Sequence, residues 1–213
     1  MSMAVCALVG ASNFNGSDFS ARYARGAFDF VIAVDAGYAY LQDLGVQADV
    51  ALGDFDSLGH VPTDVPVVRH PAIKDDSDMA LAMDYAAGRG FDELYVYGGL
   101  GRRLDHTLAN LQVFALHSER GLNVTAIDNS CALRLLTGPG SFEIPARDSG
   151  TVSVFAACDE AVGVVETGME YSLEGATLTN RTSLGLSNEL EGRPARISVE
   201  RGTLYIFYPL DQA

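Results

Sequence analysis

The sequence predicts an α/β domain with a mostly parallel sheet over residues 1–130, followed by a smaller all-β, sandwich-like domain over residues 131–213. Three observations predict it. In the first 130 residues, short apolar runs repeatedly stop at polar residues and give way to helix-like stretches, the pattern of buried strands covered by helices. From Ala132 onward β-type runs recur between turn residues, with no long helical stripe. A hydrophobic content of 48% over 213 residues is enough to bury a core.

The strand-like runs of the first part span residues 4–9, 28–34, 50–52, 65–68, 94–97 and 123–127. Each exits into residues capable of chemistry: Ser12 and Asn13, Asp35, Asp54 and Asp56, His70 with Lys74 and Asp75, the segment 98–103, and Asp128 with Asn129. If these strands are parallel, the exits converge on the carboxyl edge of the sheet, where open α/β folds bind ligands. One helix is predicted from a cap at Asp76 or Ser77 to about Ala87, with Met79, Ala82, Met83 and Ala86 on one face and Gly88 as its stop. Asp78 falls in its first turn. A second helix is predicted over 104–119, with Leu104, Leu108, Leu111 and Ala115 as the inward stripe and Gly121 beyond its end. It follows Gly98-Gly99-Leu100-Gly101 directly, so backbone amides, Arg102, Arg103 and the helix dipole point toward one crevice.

In the second part the β-type runs include 132–136, 151–155 and 203–208, with Thr137-Gly138-Pro139-Gly140 as a turn. Ile197 and Val199 alternate with Ser198 and Glu200, and Arg201-Gly202 then leads into Leu204, which predicts a hairpin closing a small sandwich or barrel.

Composition excludes several classes of function. Twenty-eight acids against 14 Lys and Arg give a net charge of -14, which repels nucleic-acid backbones. Cys6, Cys131 and Cys158 are odd in number and lack metal-ligand spacing, so buried thiols in a reducing compartment are expected. No apolar run approaches the roughly 20 residues of a membrane span. The short apolar N-terminal stretch has no basic region before it. A cytoplasmic protein is the expectation.

A lone aspartate at a strand end is usually a turn or helix cap. Asp54 and Asp56 differ, because carboxylates two apart on an extended segment face the same way and repel unless a cation lies between them. Taken singly, the glycine run, His106, Lys74, Asp75 and Asp76 each have ordinary structural explanations. Their joint occurrence points to Mg²⁺ and a phosphate compound.

These residues resemble the motifs of the thiamine pyrophosphokinases. Val34-Asp35-Ala36-Gly37 is similar to the family's Val-Asp-x-Gly turn, and Gly53-Asp54-Phe55-Asp56-Ser57 to its Gly-Asp-Phe-Asp-Ser signature. Lys74-Asp75-Asp76-Ser77-Asp78 is similar to Lys-Asp-x-Thr-Asp. The segment Gly98 to His106 with Leu108-Ala109-Asn110 resembles Gly-x-x-Gly-Gly-Arg-x-Asp-His with its trailing Leu-Ala-Asn. Gly185-Leu186-Ser187-Asn188-Glu189 resembles the Gly-x-Ser-Asn-Glu of the C-terminal domain. Three positions depart from the pattern. Arg102 replaces a glycine, Tyr38 stands where a small residue is common, and Ser77 replaces Thr.

The resemblance implies Mg²⁺-dependent transfer of a pyrophosphoryl group from ATP to thiamine, forming thiamine diphosphate and AMP. It also implies a homodimer with thiamine in a cleft between subunits. It makes residues 1–130 the catalytic, ATP-binding domain and 131–213 the thiamine-binding and dimerisation domain. Asp54, Asp56 and Asp78 become the Mg²⁺ ligands, since Mg²⁺ prefers hard oxygen donors. Asp35, Lys74, Asp75, Arg102, Arg103 and His106 become ATP-binding residues. Asp105 either orients the thiamine hydroxyl or completes the metal site, and Ser187 and Asn188 become thiamine contacts. Arg102 either assists ATP or points outward. Two other readings stay open. One is a haloacid-dehalogenase-like phosphatase with Asp54 as nucleophile, and the other a nucleotide- or thiamine-binding module without turnover.

Overall fold

The computed structural model describes residues 4–69 and 76–210. Its elements are β1 (Val5–Val9), α1 (Gly16–Ala24), β2 (Phe30–Val34), α2 (Gly37–Asp43), β3 (Val50–Gly53), β4 (Val67–Arg69), α3 (Asp78–Gly88), β5 (Glu93–Tyr97), α4 (Leu104–Glu119) and β6 (Asn123–Ile127). Strands then follow: β7 (Cys131–Thr137), β8 (Gly140–Ile144), β9 (Thr151–Ala156), β10 (Glu160–Thr167), β11 (Leu173–Thr179), β12 (Asn188–Glu189), β13 (Ala195–Val199) and β14 (Thr203–Pro209). The chain divides into two compact units. The first holds residues 4–113 and 124–129, the second 114–123 and 130–210, so the division passes through α4.

In the first unit the strand order is β6-β5-β1-β2-β3-β4. The β5-β1, β1-β2, β2-β3 and β3-β4 pairs are all parallel. Their carboxyl ends share one sheet edge, which gathers the loops after β1, β2, β3 and β5. The central strands β1, β2 and β3 are apolar because both faces are covered: Cys6, Ala7, Leu8 and Val9 are fully buried. Ser77 caps α3 by accepting from the Ala80 amide at 3.2 Å, and Met79, Ala82, Met83 and Ala86 form its buried side. Helices α1 and α2 have no counterpart in the sequence reading. The first is capped by Asn15, whose side chain accepts from the Asp18 amide.

The predicted inward stripe of α4 is corrected. Leu104 is 85% exposed and Leu108 59%, while Phe114, Ala115, His117 and Ser118 are buried. Periodicity finds an apolar stripe on a helix but cannot say whether that stripe faces the chain's own core.

The second unit is a sandwich. One sheet runs β12-β9-β14-β7 and the other β11-β10-β13-β8. Alternate residues of both, among them Val152, Val154, Val164, Leu178, Ile197, Val199, Leu204 and Ile206, meet in one core. The predicted hairpin is also corrected: β13 pairs with β10 and β8, whereas β14 pairs with β7 and β9. The Arg201-Gly202 turn carries the chain from one sheet to the other.

Candidate active site

The site begins where β2 and β3 end side by side. Their register sets Val34 opposite Leu52, and the Asp35 amide donates to the Leu52 carbonyl at 2.8 Å. Asp35 therefore lies against Gly53, where a Cβ would come within 3.1 Å of the Asp35 Cα and 3.2 Å of its nitrogen. Only glycine lets the two strand ends approach this closely. Asp54 and Asp56 then follow, but not on an extended segment. Phe55 takes φ 62°, the left-handed region, and its ring is buried, 2% exposed. That conformation costs roughly 1–2 kcal/mol, and burying a phenylalanine ring contributes about 2–3 kcal/mol in return. The Asp56 amide donates to Asp54 Oδ1 at 3.1 Å, and Ser57 Oγ donates to Asp56 Oδ1 at 3.1 Å. A turn anchored by Phe55, rather than strand alternation, brings the carboxylates together.

The group the turn assembles is Asp35, Asp54 and Asp56, whose ligand oxygens lie within 4.8 Å of one another. Burial pushes the Asp35 carboxyl above the usual range. Hydrogen bonds from Ser57 and the Ala36 amide oppose this shift, and the charges of Asp78 and Asp54 add to it. Asp35 Oδ1 is buried and has no hydrogen-bond partner among the described residues. Repelling hard oxygens with an unsatisfied buried lone pair suit a divalent cation such as Mg²⁺. Asp35 thus belongs with the carboxylates rather than only with the ATP contacts. Asp78, in the first turn of α3, reaches the group through its field on Asp35. Lys74 and Asp75 lie outside the described residues, as does His70.

Beside this group the loops after β1 and β5 are locked together. The Gly10 amide donates to the Tyr97 carbonyl, Ser12 to Gly98 and Asn13 to Leu100, at 2.8, 2.9 and 3.1 Å. Ser12 Oγ donates to the Gly101 carbonyl at 2.7 Å, and Asn110 Nδ2 to the Gly99 carbonyl at 2.7 Å. A Cβ on Gly98 would sit 2.1 Å from the Gly10 oxygen, so the loops require bare backbone here. Arg102 keeps a glycine-like φ of 55°, and its Nη1 donates to the Ala11 carbonyl at 3.1 Å. The departure from glycine therefore preserves the backbone path and adds a link between the two loops.

Arg103 and Asp105 hold each other in a two-point ion pair, Nε to Oδ1 at 3.2 Å and Nη2 to Oδ2 at 2.6 Å. Both side chains are 66% exposed. The Arg103 hydrogen bond keeps the Asp105 carboxyl low, at about 2. Asp105 is not in the Asp35 group. His106 is exposed on the next position of α4.

In the second unit Ser187 adopts φ 58° and its amide donates to Ser153 Oγ at 3.0 Å. The left-handed non-glycine residues among those described are Asp35, Phe55, Arg102 and Ser187, one in each of four sequence motifs. Such strain concentrates where function constrains backbone. Asn188 is only 4% exposed, and its amide is spent internally. Nδ2 donates to the Tyr171 carbonyl at 2.7 Å and to Glu166 Oε2 at 3.1 Å, while Oδ1 accepts from the amides of Tyr171 and Glu189 at 3.0 Å each. The sequence reading expects this amide to meet a ligand. In this structure its bonds run to Tyr171, Glu166 and Glu189. Tyr171, 62% exposed, was missed because no motif marks it, and Glu166 because a single acid beside an apolar run carries no signal.

The chain is similar to known proteins over most of its length. The family model described as thiamin pyrophosphokinase, catalytic domain, matches residues 23–126, and that of the thiamin pyrophosphokinase vitamin B1 binding domain matches residues 141–204. Thiamine pyrophosphokinase of Bacillus subtilis is 28% identical over 187 residues, 84% of this chain and 87% of the relative. The crystal structure of the Bacillus subtilis thiamine pyrophosphokinase superposes with a TM-score of 0.80 at 24% identity, covering 98% of this chain and all of that one. The thiamin pyrophosphokinase of Candida albicans gives a TM-score of 0.76 at 14% identity over 97% and 90% of the two chains, so the fold persists where identity is low. Two models of one family, in order, account for most of the sequence, and the chain belongs to the thiamine pyrophosphokinase family of enzymes.

Proposed function

We propose that the chain transfers a pyrophosphoryl group from ATP to the hydroxyethyl oxygen of thiamine, with Mg²⁺ as the cofactor and AMP as the second product. The observation that carries the reading is the Asp35, Asp54 and Asp56 group at the carboxyl edge of the parallel sheet, with Asp35 Oδ1 buried and unpartnered among the described residues. Those carboxylates, with Asp78 beside them, would hold Mg²⁺. Bound there, the ion would neutralise triphosphate charge and orient the β-phosphorus for displacement of AMP.

The chain's own groups serve the rest. The locked loops after β1 and β5 offer a rigid floor for phosphate, and the N-terminus of α4 adds a favourable dipole. Arg102 lies beside that floor, and Arg103 can exchange Asp105 for a phosphate oxygen. Lys74, Asp75 and His106 complete the ATP contacts by family resemblance. Asp105, exposed and ionised, is suited to accept a hydrogen bond from the thiamine hydroxyl. Ser187 offers a hydroxyl to thiamine from its fixed turn, with Tyr171 as a nearby exposed ring on the same unit.

Thiamine also needs an enclosing surface, and the exposed Leu104 and Leu108 of α4 fit a second copy of the chain in a homodimer. Among the described residues no helix is long and apolar enough to cross a membrane. We place the enzyme in the cytoplasm on the strength of its free cysteines.

The test is incubation with ATP, Mg²⁺ and thiamine, following AMP and thiamine diphosphate together. Equal yields of both, lost on chelation, are expected. Phosphate release without thiamine diphosphate would favour the phosphatase reading, and saturable binding without AMP a binding module.

A further inference from the structure

Glu166 is fully buried in β10, on the inner side of the sandwich, opposite Ile197 of β13. A carboxyl in such surroundings costs several kcal/mol unless its groups are satisfied. Among the described residues only one oxygen is: Oε2 accepts from Asn188 Nδ2 at 3.1 Å, and Oε1 has no partner. A leucine would fill the position with less loss, so the carboxyl serves something other than packing. Its bond joins β10 in one sheet to β12 in the other.

The recipient, Asn188, acts as an artificial strand residue. After β10 the chain pairs Met169 with Leu190, and the Glu170 amide donates to the Glu189 carbonyl at 2.9 Å. The Asn188 side chain extends this ladder by meeting both backbone groups of Tyr171, its N–H toward the carbonyl and its oxygen toward the amide. Only a side chain carrying one donor and one acceptor in a plane can do this, and its second N–H is the one Glu166 takes. Directly before it sits the left-handed Ser187.

We infer that Glu166 is a positioning residue for the thiamine-binding face, fixing the Asn188 amide and through it both the Ser187 turn and the Tyr171 segment. The inference rests on the proposal that Ser187 contacts thiamine.

Glu166→Leu removes the acceptor without opening a cavity, and Glu166→Gln keeps an acceptor in the same shape. In E166L, thiamine KM should rise about tenfold, the scale of one lost hydrogen bond to a charged group, with ATP KM unchanged and thermal stability equal or higher. Hydrogen exchange at the Tyr171 amide should accelerate. E166Q should restore both readouts. If E166L fails to fold, Glu166→Met, of similar length and likewise without the carboxyl acceptor, takes its place with the same expectations. Unchanged Tyr171 exchange overturns the inference, and so does faster exchange with an unchanged thiamine KM. Ser187→Ala separates the two ideas: if it leaves thiamine KM unmoved, the thiamine contact itself is wrong, whatever the Glu166 variants do.

Discussion

Replacing Asp35 with Asn should stabilise the cation-free protein while removing its response to Mg²⁺. Unit charges 4.8 Å apart repel by about 1 kcal/mol in water and about 3.5 kcal/mol at an effective dielectric near 20. Asp56 is exposed, so its repulsion of Asp35 lies at the water limit, whereas the half-buried Asp54 lies between the limits. Removing these repulsions, and that of Asp78, which also raises the Asp35 carboxyl, should contribute at least about 2 kcal/mol, a rise of about 4 °C or more in melting temperature for a chain of this size. The pH dependence has a definite sign. Burial raises the Asp35 carboxyl in the folded state, so its stabilising contribution is complete below the unfolded value near 4 and is lost as pH rises through the folded one. The gap between variant and parent should therefore open with rising pH. Scanning calorimetry in chelator and in Mg²⁺, at pH about 4.5 and about 7.5, reads all of this. In Mg²⁺ the parent should gain stability and D35N little. A variant that melts at or below the parent in chelator at the higher pH refutes the reasoning, as does an equal gain from Mg²⁺ in both proteins.

Gly98→Ala would place a Cβ 2.1 Å from the Gly10 oxygen at φ 62°, so a loss of about 3 kcal/mol is expected; a parent-like urea midpoint would contradict it. Arg102→Gly removes a left-handed penalty of roughly 1–2 kcal/mol and a hydrogen bond of about 1 kcal/mol. Its stability should stay within about 1 kcal/mol of the parent while ATP KM rises severalfold, and an unchanged ATP KM removes Arg102 from phosphate binding. Because Arg103 holds the Asp105 carboxyl at about 2, Asp105 is ionised at all working pH values. Asp105→Asn should then lower kcat/KM by a factor that is flat with pH, and a loss confined to one limb of the profile would show that Asp105 titrates. Leu104→Ser with Leu108→Ser should shift light-scattering mass from dimer toward monomer, and a persisting dimer would place the interface elsewhere.

Much of the fold was legible because strands buried on both faces are written as apolar runs. The strand 123–127 and the cap Ser77 come directly from such local signals. Helices α1 and α2 were not, since at nine and seven residues they are too short to repeat an apolar stripe. The α4 stripe holds at Ala115, which is buried, and fails at Leu104 and Leu108, which face outward. The C-terminal hairpin failed for a related reason: a turn between two alternating runs looks the same whether the runs pair with each other or belong to opposite sheets.

What the sequence by itself determined is the chemistry available: acids after Gly53, a glycine loop before α4, and a serine and asparagine after Gly185, in one family's order. Those are local facts of residue type and spacing. Only the tertiary structure decided how they group. Asp35 joins Asp54 and Asp56 because parallel strands 18 residues apart in sequence, by the pairing of Val34 with Leu52, end side by side. Asn188 meets Glu166 because a carboxyl from the facing sheet reaches its amide. Long-range register and burial set these contacts, and no short stretch of sequence encodes either.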